Sequence, residues 1–171
     1  MAIWISSLAE APRLAEKHRV SRVVSLLSPY DTFPSFSCLG PDCHLTVPIH
    51  DIAEDIGDWR APGITDAEKL IRFVEGWDRA QPILIHCWAG ISRSTASAFI
   101  TACVHNPKTD ENEIAQALRQ ASPTAFPNPR LIAHADAVLG KGGRMSRAVA
   151  AIGRGQIAEE AVPFFIPSAF K

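Results

Sequence analysis

From residue 86 to residue 94 the chain reads His-Cys-Trp-Ala-Gly-Ile-Ser-Arg-Ser, which sets a thiol, Cys87, six positions ahead of a guanidinium, Arg93. A cysteine is a nucleophile as its thiolate. The planar fork of an arginine holds two oxygens of a tetrahedral anion and follows the charge as it shifts during transfer. Ser94, directly after the arginine, brings a hydroxyl that can donate to sulfur and make it a better leaving group. Gly90, between them, lets the backbone approach a ligand closely. The types and spacing therefore suit displacement at a phosphate-like centre, and His86 suits orienting the loop better than acting as a base.

Such a group works only if the backbone aims it. Residues 82–87, Pro-Ile-Leu-Ile-His-Cys, form an apolar run that predicts a buried strand ending at the cysteine. From Ser94 to His105, Ala96, Phe99, Ile100 and Cys103 recur at helical spacing until Pro107 stops the helix. Strand, turn, helix is an arrangement that directs the unpaired N–H groups of a first helical turn, and the positive end of its dipole, at one point. Phosphate binds at such points. A thiol placed there is expected to have its pKa lowered from about 8.5 by the same field.

The remaining chain supplies a frame. Ile3-Trp-Ile5 is a short apolar stretch and residues 9–18 predict a modest helix; residues 22–27 predict a buried strand, and 44–49 a second whose Pro48 marks an edge or an end. Residues 51–63 form an acidic irregular loop. Thr65 to Glu68 has capping-box spacing before a helix whose face is Ala67, Leu70, Ile71, Val74 and Trp77. Asp110 to Glu113 opens another helix, Asn128-Pro129 a third, and a short helix follows Gly143. Residues 163–167, Pro-Phe-Phe-Ile-Pro, read as a sticky, docked tail. Strands interleaved with helices early and helices alone later predict an α/β fold, a small, mostly parallel central sheet flanked by helices on both faces. At 171 residues the expectation is one domain, 1–171, with the C-terminal helix and tail, 141–171, docked on it.

Bulk composition narrows the partners. Seventeen Lys and Arg against eighteen Asp and Glu leave a net charge of -1, so no global field draws the protein to nucleic acid or an anionic lipid surface. No apolar run reaches the roughly 20 residues needed to span a bilayer. The N-terminus lacks a basic segment followed by a long apolar one, so the expected location is cytoplasmic, with reduced thiols.

His86-Cys87, five residues, then Arg93-Ser94 resembles the HCxxGxxR[ST] signature of the cysteine-dependent protein tyrosine phosphatases, and Ala-Gly-Ile-Ser-Arg-Ser resembles the dual-specificity-phosphatase-like branch. Residues 122–128, Ser-Pro-Thr-Ala-Phe-Pro-Asn, resemble that branch's proline-and-asparagine segment, and the similarity covers roughly residues 2 to 140. The resemblance implies a phosphatase-like fold and phosphomonoester hydrolysis through a phospho-cysteine intermediate, with no metal or cofactor. Its partners would be a phosphorylated protein or peptide and phosphate-type anions, held by the backbone of Trp88, Ala89, Gly90, Ile91, Ser92 and Arg93. It also implies a general acid on an upstream loop. Asp51, Asp55 and Asp58 all stand in residues 51–63. Asp51 is preferred because it follows its strand as the family's acid does, whereas Asp55, nearer to Cys87, matches the family's spacing better. Alternatives on the same fold are a phosphoinositide or nucleotide phosphatase and a catalytically weak phosphotyrosine-binding module. Lipid-directed members tend to carry loop lysines, absent here, and binding modules typically lose the cysteine.

Other residues carry weaker signals. Cys38, Cys43 and His44 lack the fourth ligand of a zinc site. Either cysteine could act as a resolving thiol for oxidised Cys87. Cys103 reads as core packing, His105 and His134 as surface or cap residues, and Trp88 as a rim residue. Arg144, Arg147 and Arg154 read as a solvated basic face.

Overall fold

The computed structural model describes residues 1–170; Lys171, the last residue of the expected tail, lies outside them. Five strands form one sheet in the order β3-β2-β4-β1-β5, where β1 is Ala2–Ser6, β2 Arg22–Leu27, β3 His44–Pro48, β4 Ile83–His86 and β5 Phe164–Pro167. β1, β2, β3 and β4 are mutually parallel and β5 runs antiparallel to β1. Pro48 closes β3 at the sheet edge, where its missing N–H costs no ladder bond.

The helices are α1 (Ala11–His18), α2 (Ile64–Glu75), α3 (Arg93–His105), α4 (Glu111–Ala121), α5 (Pro129–Val138) and α6 (Arg144–Ala151). Alternation along β4 divides the core. Leu84 packs with Leu14, Val20 and Val23 under α1. Ile83 and Ile85 face the larger cluster with Ile3, Val24, Leu26, Phe99 and Ile100. Burial of each such side chain contributes about 1.5–3 kcal/mol. α3 lies at the centre of that larger layer and is buried without interruption from Arg93 to Cys103. Its first turn therefore meets the end of β4 inside the molecule.

Three local expectations shift. The capping box of α2 sits two residues earlier: Gly63 is the N-cap, and the Asp66 carboxylate accepts its N–H at 2.9 Å. Residues 164–167 are a strand of the sheet, not a tail laid upon it, with Phe164 and Ile166 buried and Phe165 facing outward beside Trp4. His105, expected as a surface or cap residue, is half-buried in the last turn of α3; it bonds the Val74 carbonyl at 2.8 Å and packs edge-on to buried Trp77. Asp110 and Asn128 cap α4 and α5 as expected. No helix among the described residues is long and apolar enough to cross a membrane.

Candidate active site

β1 and β4 end together at Ser6 and His86, level with Ser25 of β2, which runs two residues further beside β3. Ligands in open α/β sheets bind beyond the carboxyl ends of such strands, and Cys87 emerges there. His86 remains on the α1 side of the sheet, fully buried. Its Nε2 lies 2.6 Å from Ser25 Oγ, which also lies 2.7 Å from His44 Nε2, so one hydroxyl bridges two imidazoles. Burial pushes His86 down to about 4 and also lowers His44. His86 is thus a neutral anchor beneath the loop, the part its position in the sequence suggested.

In the turn of residues 88–92 four carbonyls are held by other segments. Leu8 N donates to Trp88 O (3.1 Å), Ala161 N to Ala89 O (2.9 Å), Phe126 N to Ile91 O (2.9 Å) and Asn128 N to Ser92 O (3.3 Å). A loop whose carbonyls are engaged from outside leaves its N–H groups for the inside, the arrangement of an anion-binding nest. The Gly90 amide donates to Cys87 Sγ at 3.3 Å. Gly90 has φ +76°, and a Cβ there would stand 2.8 Å from the Ser6 carbonyl carbon. No other residue type fits that approach without moving the loop against β1.

Cys87 is 1% exposed, at the floor of this nest, with Ser94 Oγ 3.1 Å from its sulfur. Arg93 is 5% exposed. One of its terminal nitrogens donates to Ile49 O at 2.8 Å, fixing the guanidinium against the end of β3, while Nε is buried with no protein partner. That orphaned donor stands 4.0 Å from Asp51 Oδ2. A buried, unbonded guanidinium N–H is costly unless something else binds it.

Of the three aspartates in the acidic loop, only Asp51 borders the pocket, a depression of about 410 Å³ that also exposes Cys87, Trp88 and Arg93. Its Oδ1 accepts from Ser92 Oγ at 2.6 Å and from Asn128 Nδ2 at 3.0 Å. Asp55 points away, 80% exposed and paired with Arg130 at 3.0 Å. Asp58 is exposed outside the pocket. Arg130 also donates to Pro62 O, and Arg60 bonds Asp66 at 2.7 Å, so the loop is pinned at several places.

Two pocket residues gave no local signal in the sequence. Asp31, in the turn after β2, lines the pocket along with Asp51, and its carboxylate accepts from Ser28 N at 2.9 Å. Glu159 arrives from the segment before β5. Asp31 was accessible to a topological reading, since it follows a strand whose end points into the same crevice; Glu159 was not.

The other thiols lie elsewhere. Cys43 precedes His44, which pairs with Val23 and, through it, with Leu84, so Cys43 is level with Ile83 at the far end of β4. Four residues of strand, about 13 Å, separate that level from Cys87, beyond the roughly 7 Å Cα span a disulfide tolerates. A resolving role for Cys43 does not fit this arrangement. Cys103 is buried, and burial pushes its thiol up to about 12, consistent with packing. Trp88 is 60% exposed at the rim, as expected. No group of three or more His, Cys, Asp or Glu suited to a metal occurs among the described residues. A second depression, of about 460 Å³, lies between residues 107–112 and α6, but its buried acid, Glu111, is already bonded by Lys141 and Arg144 at 3.0 and 3.1 Å.

Comparison with known proteins follows the same lines. Residues 55–129 match the sequence profile of the protein-tyrosine phosphatase family. No curated protein matches the chain. Among solved structures, DUSP15 superposes with a TM-score of 0.59 at 18% identity, over 91% of this chain and 92% of its own. Human DUSP28 gives 0.59 at 21% identity, over 81% and 94%. PTPMT1 in complex with PI(5)P gives 0.54 at 15% identity, over 86% and 89%. At these identities the likeness is one of fold.

Proposed function

We propose that the chain is a dual-specificity-like protein tyrosine phosphatase, a cysteine-dependent phosphomonoester hydrolase acting on phosphotyrosine in proteins; the family match over residues 55–129 and the fold shared with DUSP15 and DUSP28 support this reading. The observation that carries this reading is the Arg93 Nε–H, buried without a hydrogen-bond partner on a residue that lines the same pocket as Cys87. A phosphate oxygen is the acceptor that N–H lacks. We read residues 1–171 as one phosphatase domain in which β5 makes the C-terminal segment integral to the sheet.

In this reading the substrate phosphate sits on the amides of Trp88 to Arg93 with Arg93 across two of its oxygens. Cys87 Sγ attacks phosphorus opposite the ester oxygen; the S–P bond forms as the P–O bond breaks. Asp51 delivers its proton to that oxygen, so a neutral phenol departs. Water then attacks phosphorus and Asp51 takes its proton, while the S–P bond breaks and Ser94 donates to the leaving sulfur. Stabilising a transferring phosphoryl group is mostly a matter of positioning and charge, and positioning is where this loop is best supplied.

The test is hydrolysis of an aryl phosphate in the presence of a chelator by wild-type protein and by Cys87→Ser. Turnover by the wild type and its loss in the variant, with a phosphotyrosine peptide still bound, support the reading. Equal turnover by both proteins overturns it.

A further inference from the structure

Residues 155–161 supply no reacting group to the chemistry above, yet they run along the pocket as a fixed strap, with Ala158 and Glu159 in its lining. Gln156 N donates to Pro123 O and Ala161 N to Ala89 O, each at 2.9 Å, and the Glu160 carboxylate accepts from the hydroxyl of buried Ser7. Gly155 lets the strap touch the 124–125 backbone, since a Cβ there would stand 2.7 Å from Ala125 O. Held on both sides, Glu159 lines the pocket. Among the described residues it forms no hydrogen bond or ion pair; it leaves Arg93 Nε unpartnered and so borders the phosphate cradle without filling it.

The charges around this pocket are unequal. Among the described residues, Asp31, Asp51 and Glu159 line it against one cation, Arg93, whose guanidinium is buried and, in the phosphatase reading, taken up by the phosphate. A substrate carrying further anionic groups, such as a polyphosphoinositide or a nucleoside polyphosphate, would bring them to carboxylates inside the pocket, the next cation, Arg154, lying over Phe126 in the adjoining depression. A substrate carrying a cation beside its phosphate would meet the carboxylates of Glu159 and Asp31 in the pocket lining.

Building on the phosphatase reading, we propose that Glu159 and Asp31 form an acidic rim that selects phosphorylated peptides with a lysine or arginine next to the phosphotyrosine. Glu159 is the chief determinant because it is unpaired, whereas Asp31 is partly engaged by Ser28 N.

The experiment measures kcat/KM on phosphotyrosine peptides that differ only in having Lys, Ala or Glu beside the phosphotyrosine. It uses the full chain and the variants Glu159→Gln, Glu159→Lys and Asp31→Asn. The wild type should favour Lys over Ala and Ala over Glu by roughly three- to tenfold per step, with the spread shrinking toward about 0.5 M salt as screening grows. Glu159→Gln should compress the series and Glu159→Lys should reverse it; Asp31→Asn should compress it less. Hydrolysis of the three peptides at equal rates by the wild type, or an undiminished preference in both Glu159 variants, overturns the rim while leaving the phosphatase reading standing. Failure to hydrolyse any of the peptides or an aryl phosphate overturns that reading, and the rim with it.

Discussion

Ser92 Oγ donates to Asp51 Oδ1 across 2.6 Å, tying a residue of the phosphate loop to the carboxylate on the opposite side of the pocket. Asn128 holds the same oxygen at 3.0 Å and Ile52 O at 3.2 Å, so the acidic loop is registered to the phosphate loop from two directions. Loss of one of two such bonds lets the carboxylate wander without removing it. Ser92→Ala should lower kcat by up to about tenfold on substrates with poor leaving groups, and much less on activated aryl phosphates whose leaving oxygen needs no proton. A plot of log kcat against leaving-group pKa should be steeper for the variant than for the wild type.

Asp51→Asn and Asp55→Asn separate the two readings of the acidic loop. Asp51→Asn should depress turnover of a poor leaving group by roughly 10²–10⁴-fold. Asp55→Asn removes only an ion pair with Arg130 at an 80% exposed carboxylate and should stay within a few-fold of wild type. Steady-state rates on phosphotyrosine peptide, measured for both variants, check this, and a larger loss in Asp55→Asn would move the acid there.

Gly90→Ala should damage the loop more than its size suggests. Its φ of +76° disfavours any side chain, and the added Cβ would meet the Ser6 carbonyl carbon at 2.8 Å and Ser7 N at 2.9 Å. Moving the loop away from β1 disturbs the Leu8–Trp88 bond and the cradle together. Turnover should fall by about 100-fold or more, while global stability falls by only about 1–3 kcal/mol. Kinetics and urea unfolding on the same sample check it.

The strand-loop-helix unit was legible in the sequence because everything it needs lies within residues 82–105: an apolar run, a glycine at the turn and a helical stripe. The acid was ambiguous because Asp51, Asp55 and Asp58 have equivalent local surroundings. What distinguishes them comes from far along the chain: Arg130 draws Asp55 outward and Asn128 draws Asp51 inward. Residues 164–167 gave no strand signal, because four residues next to Pro163 and ending in Pro167 are too few to show alternation. Only pairing with β1 reveals it. Glu159 depends on that pairing in turn, since β5 and the strap bonds determine where residues 155–161 run.

The buried histidine makes stability depend on pH in a defined direction. His86 is pushed down to about 4 by burial, while an unfolded histidine titrates near 6.5. Between these values the unfolded chain binds a proton that the folded chain refuses, so stability rises with pH. The contribution is complete above about 6.5 and is lost as pH falls toward about 4, by about 3 kcal/mol in total. His44, also lowered and sharing Ser25, acts in the same sense. Urea unfolding between pH 7.5 and 4.5 should show this slope in the wild type and a shallower one in His86→Gln.

The central claim is that phosphorus passes through the sulfur of Cys87. Wild-type protein turning over a phosphotyrosine peptide, quenched in acid within milliseconds and digested, should yield the peptide containing Cys87 with one added phosphoryl group. Ser94→Ala, which removes the hydroxyl 3.1 Å from that sulfur, should raise the trapped fraction by slowing hydrolysis of the intermediate. A phosphoryl group found on another residue, or turnover with none on Cys87 in either protein, would contradict the account.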